Sequence, residues 1–285
     1  MNLIEIKDVC KQYKGFSLDH VSLSLPGGCV MGLIGENGAG KSTLLHILLG
    51  MVHQDAGSVT LLGHQTASER ELVLAKEDIG AVLDEVGIPE TFKAKQISLI
   101  MGDIYQRWEE AKFFEYLRRF SVPADKKYKD LSRGMKMKLG IAMALSHDAK
   151  LLILDEATNG LDPVVRDEIT DLFYDFTQDE DHAVLISSHI VSDLEKICDY
   201  VAFLHRGKLL LSVEKDRLLE EYCIIRCEET EAAAFPDDAI LGRKHSSLGT
   251  QLLVRRDVLP HGTQGITPTL EELFVFMVKE EVAAQ

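Results

Sequence analysis

The chain has 285 residues, 46% of them hydrophobic and 27% charged, which suits one large or two modest globular domains with a sizeable core. Its formal net charge of −15 argues against a nucleic-acid partner and against direct adsorption to anionic lipid, since both demand a basic face. No apolar run approaches the ~18–20 residues of a membrane span. The opening "MNLIEIKDVCKQY" carries Glu5 and Asp8 and does not read as a secretory signal. The five cysteines (10, 29, 198, 223 and 227) are odd in number and scattered, as expected of reduced thiols.

In chain order, Leu3 to Val9, Val21 to Leu25 and Val30 to Ile34 read as short strands, followed by Gly57 to Leu62 and Ile79 to Leu83. Between them "GENGAGKST" runs from Gly35 to Thr43 and leads into a helix over "STLLHILLG". Glycine is costly to order, so such a cluster marks a backbone path that side chains would block. The spacing Gly35-x-x-x-x-Gly40-Lys41-Ser42 fits a phosphate-binding loop, and strand–loop–helix is the setting that motif needs. Bare N–H groups wrap the phosphates, and the helix adds its positive end to the same anion. Lys41 is then expected to reach the terminal phosphates, and the Ser42 hydroxyl to ligate Mg²⁺.

From Lys95 to Phe120 the residues Ile97, Ile100, Ile104, Trp108 and Ala111 recur at helical spacing, predicting one helical stretch. "LSRGMKMKLGIAMALSH" predicts another helix, with Ile141 and Leu145 on its apolar side. Residues 87–150 therefore read as a helical insert. Strands resume with "KLLILDE" and "AVLISS", the first apolar throughout, as in a parallel strand buried on both faces. Asp155 and Glu156 end that strand, where a carboxylate beside a phosphate loop holds Mg²⁺. Asp155 is the expected metal residue and Glu156 the expected general base for an attacking water. "LDP" predicts a helix start with Asp162 as N-cap and Pro163 at the first position, continued by Val165, Ile169, Leu172 and Phe176. "VAFLHRGKLLL" predicts a hairpin around Arg206-Gly207. Beyond it "YCIIRC" and "QLLVRR" read as strands and "TLEELFVFMVKE" as a closing helix.

The order "GENGAGKST", "LSRGM", "LLILDEATNGLDP" and "LISSH" resembles the nucleotide-binding subunit of an ABC transporter over residues 1–215, and the tail loosely resembles the extension of export-type subunits. That resemblance implies an α/β fold: a P-loop NTPase (RecA-like) core with an antiparallel β subdomain, an inserted helical subdomain and a small C-terminal α+β extension. The corresponding divisions are 1–86 with 151–212, 87–150, and 213–285. It implies ATP and Mg²⁺ as ligands, with Gly35, Asn37, Gly38, Ala39, Gly40, Lys41, Ser42 and Thr43 around the nucleotide and Tyr13 stacked on adenine. It implies a head-to-tail homodimer, or a heterodimer with a related subunit, in which Leu131, Ser132, Gly134, Met135 and Asp162 act in trans. Arg133 and Met135 depart from the usual signature LSGGQ. His189 matches the switch histidine that senses the γ-phosphate, and Asn159 to Asp162 match the loop linking the two sites. Asp84 stands where the family usually has Gln, so it is expected as a metal contact and catalytic residue, with an altered metal dependence.

The resemblance further implies ATP hydrolysis driving export through a separate transmembrane permease, with this chain at the cytoplasmic face of the cell membrane and no nucleic-acid partner. The rival reading is a soluble ABC ATPase with a non-membrane partner, for example in cluster assembly.

Overall fold

The computed structural model describes residues 1–83, 87–157, 161–228, 232, 235–236, 239–246, 249–260 and 263–284. Asp84 and Asn159 lie outside the described residues. Three sheets organise the described residues. A long ribbon of β1 (Asn2–Tyr13) and β2 (Phe16–Pro26) joins β4 (Ala56–Leu61) and β5 (His64–Gln65) in an antiparallel sheet of order β2-β1-β4-β5.

The second sheet has the order β10-β9-β3-β8-β7-β6 and contains β3 (Cys29–Ile34), β6 (Ile79–Val82), β7 (Leu151–Asp155), β8 (Ala183–Ser188), β9 (Tyr200–His205) and β10 (Lys208–Glu214). All its pairings are parallel except the β9–β10 hairpin. Every residue of β7 and β8 is buried. The pleat sorts the apolar run into two cores. Met31, Leu33, Leu151 and Ile153 face the antiparallel sheet and α1 (Lys41–Leu48), whereas Val30, Ile34, Leu152 and Leu154 face the remaining helices.

One sequence expectation is corrected. The stretch from Lys95 to Phe120 is two helices, α3 (Ala94–Ile104) and α4 (Glu110–Arg119), which follow α2 (Glu69–Glu77). Distant groups pin the break between them. Tyr105 stacks on His147 at 3.8 Å between centroids, and Trp108 Nε1 donates to Ser98 Oγ at 3.1 Å. Arg107 pairs with Asp78, and the Glu109 N–H donates to the Ser146 carbonyl at 2.7 Å. Helical periodicity cannot register partners so remote in sequence. The expected apolar stripe divides accordingly: Ile97 is buried, while Ile100 and Ile104 are exposed.

The expected signature helix is α5 (Arg133–Ala144), capped by Ser132 Oγ accepting from the Met135 N–H at 3.3 Å. Asp162 caps α6 (Pro163–Phe176) by accepting from the Val164 and Val165 N–H groups, with Pro163 at the first position, as the "LDP" string predicts. The predicted hairpin turns at Arg206 and Gly207, both with left-handed backbone. The short α7 (Val191–Glu195) precedes the hairpin; after it, α8 (Lys215–Glu221) leads into a third sheet of order β11-β13-β12, formed by β11 (Tyr222–Cys227), β12 (Ile240–Ser246) and β13 (Gly249–Arg255). The closing helix α9 (Leu270–Ala284) sets Phe274 edge-on against Phe203 of β9, centroids 5.3 Å apart, so the tail shares the main core.

Candidate active site

The glycine loop leaves the carboxyl end of β3, the strand between β8 and β9. Each glycine answers a local constraint. A Cβ on Gly35 would lie 2.4 Å from the Leu204 carbonyl oxygen. Gly40 has φ 110°, and a Cβ there would sit 2.7 Å from both Leu18 Cδ2 and Phe16 Cζ. Helix α1 then opens at Lys41 with no side-chain cap and no acidic residue in its first turn. Its first N–H groups are left for an anion in the cleft.

Lys41 is buried, at 6% exposure. Its ammonium donates to the carbonyls of Gly35 at 2.8 Å and Glu36 at 3.3 Å, and lies 3.3 Å from Glu156 Oε1. Glu156 Oε2 is in turn 2.7 Å from His189 Nδ1. Lysine, carboxylate and imidazole thus form one continuous chain across the floor of the cleft. Parallel register explains the convergence: Ile34 lies opposite Ser188, and Asp155 opposite Ser187, so three strands deliver their carboxyl ends together. Asp155 is buried and accepts from Ser187 Oγ at 2.5 Å. Glu156 has φ 53°, a left-handed conformation that costs a non-glycine residue free energy. Its N–H is held by the Ser187 carbonyl and hydroxyl, each at 3.1 Å.

The cleft encloses about 690 Å³. Asn37, Gly38, Gly40, Lys41, Ser42, Thr43, Asp155, Glu156 and His189 line it, as do Gly15, Phe16 and Glu36, which the motifs did not single out as site residues. Gly35 and Ala39 lie behind the loop; Ala39 is buried, and its carbonyl accepts from the Gly207 N–H at 2.9 Å. Tyr13 is half-exposed and stacks on Phe16 with centroids 6.5 Å apart, so the aromatic ring at the cleft wall is Phe16. The spacing between the two aromatics at the ribbon turn was the available signal for Phe16. Ser187 carried none: it became visible only through the register of β7 and β8.

Leu131, Ser132, Gly134, Met135 and Asp162 do not line this cleft. They come together elsewhere, since a Cβ on Gly134 would lie 3.5 Å from Leu161 Cδ2, next to Asp162.

A family model described as "ABC transporter" matches residues 18–159. The chain is 36% identical over 221 residues to the lantibiotic transport ATP-binding protein SrtF of Streptococcus pyogenes, covering 75% of this chain and 92% of that one. It is 33% identical over 219 residues to the bacitracin transport ATP-binding protein BcrA of Bacillus licheniformis, covering 76% and 71%. A solved dimeric ATP-binding cassette in a post-hydrolysis state, bound to ADP and Pi, superposes with a TM-score of 0.67 at 21% identity over 74% of this chain and 98% of that chain, a likeness of fold. The glycine loop, the acidic strand end beside it and these relatives together identify the chain as a member of the ATP-binding subunits of ABC transporters.

Proposed function

We propose that this chain is the ATP-hydrolysing subunit of an exporter whose transmembrane permease is a separate polypeptide. The observation that carries the reading is the Lys41–Glu156–His189 chain, with links of 3.3 and 2.7 Å, set against an uncapped helix start. No helix among the described residues is long and apolar enough to cross a membrane, so the conducting path belongs to a partner in this reading.

The donor set fits Mg²⁺. The exposed Ser42 hydroxyl and the buried Asp155 carboxylate, with one oxygen already engaged by Ser187, are hard oxygen donors at the phosphate loop. A bound Mg²⁺ neutralises phosphate charge. The chain's own residues do the rest. Lys41 exchanges Glu156 for the terminal phosphate oxygens. Glu156, released, accepts a proton from the attacking water. His189 orients that carboxylate and contacts the γ-phosphate. Phe16, with Tyr13 behind it, offers the adenine a stacking face.

The patch holding Ser132, Gly134, Met135 and Asp162 completes the second copy's site in a head-to-tail dimer. The start of α5 has no acidic residue in its first turn, and the N–H groups that the Ser132 cap leaves open favour an anion. The exposed apolar residues Val73 and Leu74 of α2, and Leu99, Ile100 and Ile104 of α3, support docking of the permease on these helices. The two relatives are named for bacitracin and lantibiotic transport, and we extend peptide antibiotics to this chain as its cargo class.

The test is light scattering of Glu156→Gln with MgATP, together with sedimentation of the wild type with membranes in the presence and absence of the co-expressed permease. ATP-dependent dimers and permease-dependent membrane recovery are expected. A monomer under saturating MgATP, or recovery indifferent to the permease, sinks the reading.

A further inference from the structure

Away from the cleft, the β1–β2 ribbon carries a second group of reactive side chains. Cys10 on β1, with Asp19 and His20 on β2, brings a sulfur, a carboxylate oxygen and an imidazole nitrogen within 4.8 Å of one another. Among the described residues no other trio of His, Cys, Asp or Glu converges in this way.

The backbone is built irregularly at this point. Val9 pairs with Val21 but Lys11 pairs with Leu18, so Cys10 faces two residues, Asp19 and His20. An extra residue of this kind is a bulge, and bulges re-aim side chains. His20 and Asp8 both have φ 49°. Left-handed backbone is costly at non-glycine residues. Their side chains are 71% and 76% exposed, so core packing does not offset that cost.

We propose that Cys10, Asp19 and His20 form a binding site for a single Zn²⁺ ion, with Asp8 or water as the fourth ligand. Thiolate plus imidazole is a donor pair that selects zinc, and a carboxylate completes a common ligand set. Mg²⁺ takes oxygen ligands and has no use for the sulfur. Zinc holds such ligands at about 2.0–2.3 Å, so the donors must sit roughly 3.5 Å apart in a tetrahedron. Rotation of the exposed Asp19 and His20 side chains supplies the remaining closure.

The His20 N–H donates to the Cys10 sulfur at 3.4 Å, which orients it. Asp8 Oδ1 is 3.9 Å from His20 Nδ1, near enough to be a candidate fourth ligand. Binding displaces the Cys10 thiol from the Asp8 carbonyl at 3.7 Å and Lys208 Nζ, 3.8 Å from Asp19 Oδ2; with Asp8 as fourth ligand it also displaces the Ser22 hydroxyl, which donates to Asp8 Oδ1 at 3.4 Å. The thiol proton is released to solvent. The ion cross-links β1 to β2 just before the Tyr13–Phe16 turn and so stiffens the ribbon that carries the cleft's aromatic wall.

The test is a Co²⁺ titration of the nucleotide-free full chain, read by the sulfur-to-cobalt charge-transfer band, followed by displacement with Zn²⁺. A single Co²⁺ per chain is expected. Cys10→Ser should abolish the band, and Cys29→Ser and Cys227→Ser should leave it. His20→Asn, which tolerates left-handed backbone, should weaken binding by roughly tenfold or more. Should Cys10→Ser fold poorly by circular dichroism, Asp19→Asn supplies the comparison, with binding weakened in the same direction. A wild-type chain without the band, or a band that survives in Cys10→Ser, overturns the site. The readout uses no ATP, so it stands or falls apart from the exporter reading.

Discussion

Ser187 Oγ donates to Asp155 Oδ1 at 2.5 Å while accepting the Glu156 N–H at 3.1 Å. One hydroxyl on β8 therefore orients the carboxylate that ends β7 and holds the backbone of the residue after it. Ser187→Ala leaves a buried carboxylate oxygen of Asp155 short of a partner, while the Glu156 N–H keeps the Ser187 carbonyl. We expect a loss of about 1–3 kcal/mol in stability, read by chemical denaturation. The Mg²⁺ concentration for half-maximal hydrolysis should also rise. An unchanged metal response with lowered stability would assign Ser187 a structural role only.

Glu156→Gln keeps the shape of the side chain and removes its basicity. Hydrolysis should fall by about 10²–10⁴-fold in single-turnover measurements, with ATP binding retained. Normal turnover would remove Glu156 from its role as base.

Lys41→Ala removes the one charged group that bridges the loop carbonyls and Glu156. Charge-assisted hydrogen bonds contribute about 1.5–3 kcal/mol, so nucleotide affinity should drop roughly 10–100-fold by calorimetry. Equal affinity in the variant would mean that Lys41 stays with Glu156 when nucleotide binds.

Gly207→Ala tests the support behind the loop. Gly207 has φ 81°, a Cβ there would lie 1.7 Å from the Ser17 carbonyl oxygen, and its N–H holds the Ala39 carbonyl at 2.9 Å. The variant should unfold at lower temperature and bind nucleotide more weakly, although residue 207 does not line the cleft. Wild-type affinity at a lowered melting temperature would uncouple the turn from the loop.

His147 tests acid sensitivity. Its ring is buried against Tyr105, and its Nδ1 donates to the Glu77 carbonyl at 3.2 Å. Burial holds its pKa below the usual 6.5. The unfolded chain then binds the proton more readily than the folded one, so this contribution to stability is present above pH 6.5 and is lost as pH falls through that value towards the depressed folded one. His147→Gln should flatten the dependence of melting temperature on pH in that window. The same slope in the variant would discard the assignment.

What was legible in the sequence was local. "GENGAGKST" could be read because a backbone path that excludes side chains leaves glycines at fixed offsets. Asp155 and Glu156 could be read because an apolar run ending in two acids marks a strand mouth. Asp162 and Pro163 carried their capping chemistry in adjacent letters. Ser187 and Phe16 gained their roles from strand register and from a ribbon folded over the loop, which no short window contains. The break at Tyr105 was hidden for the same reason: its cause is His147, Ser146 and Asp78, all distant in sequence. Periodicity found the closing helix, but not that its Phe274 belongs to the main core.

That contact between Phe274 and Phe203 has a practical corollary. Phe203 stands on the strand that leads into the Arg206–Gly207 turn, and Leu270 and Leu273 are fully buried beside the same core. Proteolytic removal of the last helix would bare a greasy scar beneath the hairpin, at about 1.5–3 kcal/mol for each large side chain uncovered. Protease resistance of the carboxyl end should therefore rise and fall with that of the whole molecule.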